Sequence, residues 1–97
     1  MKPQNIVIDV RLNAFIIETE ETLTYRQLFF RFPNDYVASV VTGAGGNGIE
    51  MARILFMYTG SSEFVVCEEP FGWLTNEELN TMLFNIKETG YAKGEEK

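Results

Sequence analysis

The stretch from residue 25 to residue 41 constrains the fold of this chain most strongly, because it reads as a β-hairpin. Its sequence, YRQLFFRFPNDYVASVV, contains two strand-like runs on either side of Pro33-Asn34-Asp35. Asn and Asp tolerate the positive φ that a two-residue hairpin loop needs, and Pro ends a strand because it cannot donate a ladder hydrogen bond. We therefore predict a loop at Asn34-Asp35, with Phe32 opposite Val37, at the centre of an antiparallel sheet.

Apolar runs before and after the hairpin predict further strands. Period-two alternation indicates a strand from Ile6 to Leu12, which Phe15-Ile16-Ile17 continues. The run from Ile49 to Tyr58 fits either a short helix or a buried strand, since periodicity does not separate the two. A strand is the simpler interpretation, because the next run, Glu63 to Glu68, also has the composition of a strand.

The C-terminal segment carries the signals of an amphipathic helix over residues 75–89. Thr75 at the N-cap and Glu78 three residues later predict a capping box. Gly90 is suited to end the helix, because glycine adopts the left-handed conformation of a helix stop without strain. The residues at i, i+3, i+4 and i+7 are apolar and form one stripe, namely Leu79, Met82, Leu83 and Ile86.

These elements predict an α+β fold: an antiparallel sheet of four to five strands with one C-terminal amphipathic helix packed on one face. The 97 residues are enough for a single domain with its own core. Within it, we expect residues 1–22 to be an N-terminal strand extension, residues 23–89 to be the core and residues 90–97 to be a flexible tail.

Both faces of the predicted sheet are apolar. Leu28, Phe30 and Phe32 alternate onto one face, while Tyr25 and Phe29 alternate onto the other. One helix covers one face, and large exposed apolar patches usually mark interfaces. We therefore expect a homodimer, packed sheet against sheet or edge to edge, with two-fold symmetry.

Composition argues against several classes of function. The net charge of −6 does not suit direct binding to nucleic acid or to an anionic membrane. The chain has no His, so it contains neither a Ser-His catalytic pair nor a His-based metal site. Cys67 is the only cysteine, which fits a reducing compartment, and no apolar run approaches a membrane span. We expect a cytoplasmic protein that is not an enzyme and holds no metal.

One stretch imitates a cofactor-binding motif. Gly43, Gly45 and Gly48 spell GxGxxG directly after a predicted strand, and Glu68 follows Gly48 by 20 residues, as in dinucleotide-binding folds. In those folds the glycines precede a helix, and the whole fold needs more chain than is present here. We therefore interpret the segment as a loop between antiparallel strands that binds no cofactor. A nucleotide-binding site stays the alternative.

The other candidate site is a surface for a protein partner. Glu18, Glu20 and Glu21 form an acidic patch, which is either a solvated turn or a contact for a basic partner. Tyr25 and Phe29 add aromatic side chains on the face that the helix leaves open. Trp73 is expected in the core under the start of the helix, and the alternative is an exposed contact residue.

Two motifs resemble small proteins of unknown function that bacteriophages and prophages encode. FPNDY at residues 32–36 and ASVV at residues 38–41 are similar to the FPNGYxASV opening of those proteins, and FGWLTNEEL at residues 71–79 is similar to their closing GWLTxEEV segment. Asp35 stands in place of the usual Gly, the loop before Trp73 is shorter, and residues 1–22 look like an addition. The resemblance implies a phage-type origin and supplies no catalytic residue.

Together these observations predict a small acidic phage-type or prophage-type binding protein without catalysis. Its candidate role is inhibition of a host or defence protein in the host cell cytoplasm. The alternatives are a nucleotide-binding module that uses the Gly43–Gly48 loop, and a structural or assembly protein.

Overall fold

The computed structural model describes residues 6–43, 48–57, 65–67 and 69–93. The elements in chain order are a 3₁₀ helix Val10–Phe15, strands β1 Ile16–Glu21, β2 Arg26–Arg31, β3 Val37–Thr42, β4 Ile49–Met57, β5 Val65–Cys67 and β6 Phe71–Leu74, and helix α1 Asn76–Thr89. The sheet is antiparallel in the order β1-β2-β3-β4-β5, and β6 also pairs with β4. The predicted α+β class, with one C-terminal helix packed on the sheet, is confirmed.

Helix α1 forms as its sequence predicts. The Thr75 side chain accepts from the Glu78 N–H at 3.0 Å, and the Glu78 carboxylate accepts from the Thr75 N–H at 2.9 Å. Gly90 ends the helix in the left-handed region at φ 90°, and its N–H donates to the Ile86 carbonyl. The strand predicted in place of a second helix is also confirmed, because Ile49–Met57 is strand β4.

The central hairpin forms, but its predicted register is wrong by one residue. Phe30 pairs with Ala38 rather than with Ser39, and the Phe32 N–H donates to the Tyr36 carbonyl at 3.0 Å. The loop therefore contains three residues, Pro33, Asn34 and Asp35. Pro33 presets a turn that the Asp35 N–H closes on the Phe32 carbonyl at 2.8 Å, and Asp35 then takes the positive φ of 71°.

The register decides which side chains of β3 face the core. With the observed pairing, Leu28 opposes Val40 and Phe30 opposes Ala38, and all four side chains are buried. A shift of one residue would put Val37, Ser39 and Val41 on the core face in place of Ala38, Val40 and Thr42, and would bring the Ser39 hydroxyl rather than the Ala38 methyl group beside Phe30.

The strand predicted for Ile6 to Leu12 is wrong. Residues 6–9 have no regular structure and Val10–Phe15 is a 3₁₀ helix, so the N-terminal strand β1 begins only at Ile16. The backbone of this segment bonds to side chains of α1 instead of to a neighbouring strand: Asn76 accepts from the Val7 N–H and Asn80 accepts from the Asp9 N–H, both at 2.8 Å.

Asp9 starts the 3₁₀ helix, and its stabilising effect is expected to depend on pH. Hydrogen bonds from the side chain and the backbone N–H of Arg11 lower the pKa of Asp9 to about 2. Because the pKa is lower in the folded chain than in the unfolded chain, the stabilisation is present above pH 4 and is lost as the pH falls towards 2.

Chemical unfolding of the wild type and of Asp9→Asn at pH 5 and pH 2.5 measures this effect. We expect the two proteins to differ more at pH 5 than at pH 2.5. An equal difference at both pH values would mean that the Asp9 carboxylate does not pair with Arg11.

The hydrophobic cluster that the sheet shares with α1 and the N-terminal segment lies on one side of the sheet. From α1 it receives Leu79, Leu83 and Ile86, each 0% exposed. The N-terminal segment contributes Ile6 and Leu12, which belong to the same cluster. The sheet supplies the remaining buried side chains, among them Leu28, Phe30, Ala38, Val40, Ile49 and Met51. Helix α1 and the N-terminal segment therefore cover the same face of the sheet.

The chain stays packed for three residues beyond Gly90, although the sequence assigns residues 90–97 to a flexible tail. Ala92 is 7% exposed, and the Asn85 side chain donates to its carbonyl at 2.9 Å. The buried guanidinium of Arg53 donates to the Gly90 carbonyl and lies 5.1 Å from the Tyr36 ring centre and 4.7 Å from that of Tyr91. Residues 94–97 lie outside the described residues.

Candidate functional site

The face of the sheet opposite α1 is the candidate functional surface, and we call it the open face. Among the described residues, it consists of those on β1 to β4 that alternate away from the core. The strand register arranges them in cross-strand rows. One row contains Glu18, Phe29, Ser39 and Ala52, and the next contains Glu20, Gln27, Val41 and Glu50.

Trp73 extends the second row at the edge of the sheet. Ile49 pairs with Leu74 and Met51 pairs with Phe71, so Gly72 and Trp73 together oppose Glu50 in a β-bulge. Leu74 is buried in the core, and the neighbouring Trp73 side chain is 72% exposed. We call the row Glu20, Gln27, Val41, Glu50 and Trp73 the transverse row.

The expectation that Trp73 packs under the start of α1 is wrong. Besides being largely exposed, Trp73 has a φ of 55°, in the left-handed region that residues other than Gly, Asn and Asp rarely adopt. An exposed indole on a strained backbone buries little apolar surface, so core packing does not account for it. Such outliers concentrate at binding sites, where the strain fixes the direction of a side chain.

Four of the five predicted partner residues gather on the open face. Glu18 pairs with Phe29 and Glu20 pairs with Gln27, while Tyr25 lies immediately before β2, follows the same alternation and bonds through its side chain to Glu20. The fifth, Glu21, pairs with Arg26 and alternates to the other side of the sheet. These glutamates do not form the solvated turn considered from the sequence, because they lie in the edge strand β1.

The charge on the open face is mainly negative. Glu18 and Glu20 are exposed and Glu50 is half-buried. A hydrogen bond to Glu20 raises the pKa of Tyr25 above its ordinary value, so the phenol stays protonated and acts as a donor. Arg31 lies on the same face, but its guanidinium pairs with Asp35 at 3.1 Å. The accessible part of the face therefore suits a cationic group.

The centre of the open face is polar and apolar in alternation. Gln27 donates from Nε2 to Ser39 Oγ at 3.0 Å, which orders both side chains. Phe29 and Val41 lie beside them and are half-buried, while Val37 and Ile54 at the Pro33 end are buried. Among the described residues, the surface open to a partner therefore consists of two rows: the row that contains Phe29 and the row that contains Val41 and ends at Trp73.

The glycine segment joins neighbouring antiparallel strands. Gly43 and Gly48 have positive φ, at 106° and 62°, and Thr42 pairs with Ile49 on the two flanking strands. A strand rather than a helix follows Gly48, so the helix N-terminus that holds phosphate in the dinucleotide fingerprint does not form here. Gly45 and Glu68 lie outside the described residues.

Two other kinds of site can be assessed for the described part of the chain. No group of three acidic, Cys or His side chains is placed there to hold a metal ion, and no helix there is both long and apolar enough to cross a membrane. A shallow groove of about 440 Å³ runs beside α1, lined by Glu77, Glu78, Thr81, Met82, Asn85, Ala92 and Lys93.

Sequence reasoning missed Gln27, Val41 and Glu50 as members of the surface. The strand register identifies them, because Gln27 pairs with Glu20, Val41 pairs with Gln27, and Glu50 pairs with Val41. No protein-family model, curated protein or solved structure matches the chain.

Proposed function

We propose that this chain is a small acidic binding protein that contacts a protein partner through the open face of its sheet and does not act by catalysis. One observation carries the proposal: a sheet whose other face is covered by α1 presents Tyr25, Phe29 and Trp73 together with carboxylates. Trp73 is largely exposed and Tyr25 and Phe29 are half-buried, and accessible aromatic residues in a polar surround often dominate binding energy at interfaces.

The resemblance to phage and prophage proteins supports a more specific form of this proposal. In that form the partner is a host or defence protein, the chain inhibits it, and both lie in the host cell cytoplasm. Inhibition by contact requires a surface and no catalytic group, which agrees with the residues that the open face presents.

The homodimer expected from the sequence stays a prediction. Stacking two open faces about a two-fold axis would enclose Glu18, Glu20 and Glu50 of both copies, and pairing two β1 edges would align their glutamates. Light scattering over a range of concentrations tests it. A mass of two chains supports the dimer, and a mass of one chain leaves the open face to a foreign partner.

A capture experiment with two matched variants tests the proposed function. Ser39→Arg places a long side chain in the middle of the open face, where it can extend into solvent without entering the core. Thr81→Arg adds the same charge on an exposed position of α1. Immobilised wild type, Ser39→Arg and Thr81→Arg are exposed to bacterial lysate, and the retained proteins are compared by mass spectrometry.

We expect at least one protein to be retained by the wild type and by Thr81→Arg but not by Ser39→Arg. Thermal unfolding of all three shows that the loss is not due to misfolding. Retention of the same proteins by Ser39→Arg, or retention of none by the wild type, would contradict the proposal.

A further inference from the structure

We propose that the transverse row binds a positively charged, extended segment of the partner, with one Lys or Arg side chain seated between the Glu50 carboxylate and the Trp73 indole. The inference rests on the proposed function and names the chemistry of the partner.

The bulge in β6 creates the seat for the cation. Because Gly72 and Trp73 together oppose Glu50, the carboxylate and the indole lie on neighbouring strands. Neighbouring strands are about 4.8 Å apart, so a cation placed between them reaches both groups. A carboxylate attracts a guanidinium or ammonium group directly, and an indole face attracts it through the ring quadrupole.

The rest of the row favours a segment over a single ion. Glu20 and Trp73 lie on the first and the last of five adjacent strands, so about 19 Å separates them, a distance that an extended chain of about six residues spans. Gln27 and Val41 lie between them. Carboxylates therefore face a bound segment towards both ends of the row, and Val41 offers it an apolar surface between them. Because every second side chain of an extended segment points to the same side, a segment with a basic, an aliphatic and a basic residue at positions i, i+2 and i+4 matches the row.

Charge favours this occupant over a second copy of the chain. A second copy would bring the same carboxylates against the row, whereas a basic segment neutralises them. Size leads to the same conclusion. The open rows cover roughly 300 Å² of flat area, well below the ~800 Å² that each partner contributes to a stable interface, but suited to one strand of peptide.

Isothermal titration calorimetry with a synthetic peptide tests the inference. The probe has about seven residues, which matches the length of the row at ~3.3 Å per residue. Arginine, valine and arginine occupy three successive positions on one side of the extended peptide, and serine fills the remaining positions. A second peptide carries neutral citrulline in place of arginine and keeps the shape. The protein variants are Glu50→Gln, Trp73→Asn, which tolerates the left-handed backbone, and Glu88→Gln on the exposed side of α1 as the charge-matched control.

We expect the arginine peptide to bind the wild type and Glu88→Gln equally, with affinity reduced about fivefold or more by Glu50→Gln and about tenfold or more by Trp73→Asn. The citrulline peptide should bind at least tenfold more weakly than the arginine peptide. Absence of binding to the wild type, or equal losses for Glu88→Gln and Glu50→Gln, would overturn the inference.

Lysate capture with the variants distinguishes a failure of the basic-segment inference from a failure of the proposed function. If lysate proteins are lost on Ser39→Arg but retained by Glu50→Gln and Trp73→Asn, the open face binds a partner that is not the basic segment inferred here. If Ser39→Arg loses nothing, the proposed function itself is wrong.

Discussion

Replacing Leu83 by alanine is expected to lower the free energy of unfolding by about 3 kcal/mol. Leu83 is fully buried at 0% exposure, on the stripe of α1 that packs on the sheet. The substitution removes the hydrophobic stabilisation of the buried leucine side chain. It also leaves a cavity, which the tightly packed neighbouring side chains fill only in part. Urea unfolding followed by circular dichroism measures the change, with the midpoint shifted and the m value unchanged.

Thr81→Ala is the matched control, since Thr81 is exposed on the same helix. Its expected change is within about 0.5 kcal/mol, because a surface substitution away from caps and partners has little effect. If Leu83→Ala and Thr81→Ala lowered the free energy of unfolding equally, α1 would not pack its apolar stripe on the sheet. The face of the sheet opposite the open face would then be uncovered as well.

Replacing Gly90 by alanine is expected to lower the free energy of unfolding by about 2–3 kcal/mol. The first cause is the φ of 90° at Gly90, which an alanine adopts only with strain. The second is space: the new Cβ would lie 2.7 Å from Cε2 of Tyr36. The Tyr36 ring would have to move, and it supports the guanidinium of Arg53 that holds the Gly90 carbonyl.

Gly72→Ala is the control for this prediction. Gly72 is exposed and its φ is not positive, so the extra methyl group is expected to change the free energy of unfolding by about 0.5 kcal/mol or less. Equal effects at the two glycines would mean that Gly90 and Tyr91 do not pack against Tyr36, and that the flexible tail begins where the sequence alone places it.

The C-terminal helix was predictable because its signals are local. A capping box depends on residues three positions apart, and a stripe depends on the 3.6-residue repeat, so both can be read without knowing the rest of the fold. The structure reproduces the cap at Thr75, the stripe and the stop at Gly90. Strand β4 was predictable from the neighbouring strand-like segments.

The hairpin shows where local reasoning stops. Pro33-Asn34-Asp35 predicts a turn in either register, because both Asn and Asp tolerate positive φ. The choice between two and three loop residues decides which residues of β3 face the core, and the structure places the small Ala38 rather than Ser39 beside Phe30. That choice becomes visible only when the buried face is known.

The N-terminal segment and Trp73 were mispredicted for a common reason. Alternation from Ile6 to Leu12 fits a strand, but a strand needs a neighbour, and Asn76 and Asn80 of α1 hold this backbone instead. Trp73 precedes the helix cap, where a large apolar residue ordinarily packs inward. The bulge at Gly72-Trp73 turns it outward, and a bulge is a property of strand pairing that spacing along the chain does not reveal.

The emission of Trp73 tests the central claim most directly, because Trp73 is the only tryptophan in the chain. The claim is that the transverse row, with the indole at its edge, is free to receive a partner. If so, the native chain at low concentration emits at nearly the same wavelength as the chain unfolded in guanidinium, and acrylamide quenches both efficiently. Native emission shifted far to the blue and protected from acrylamide would mean that the indole is buried, and would contradict the claim.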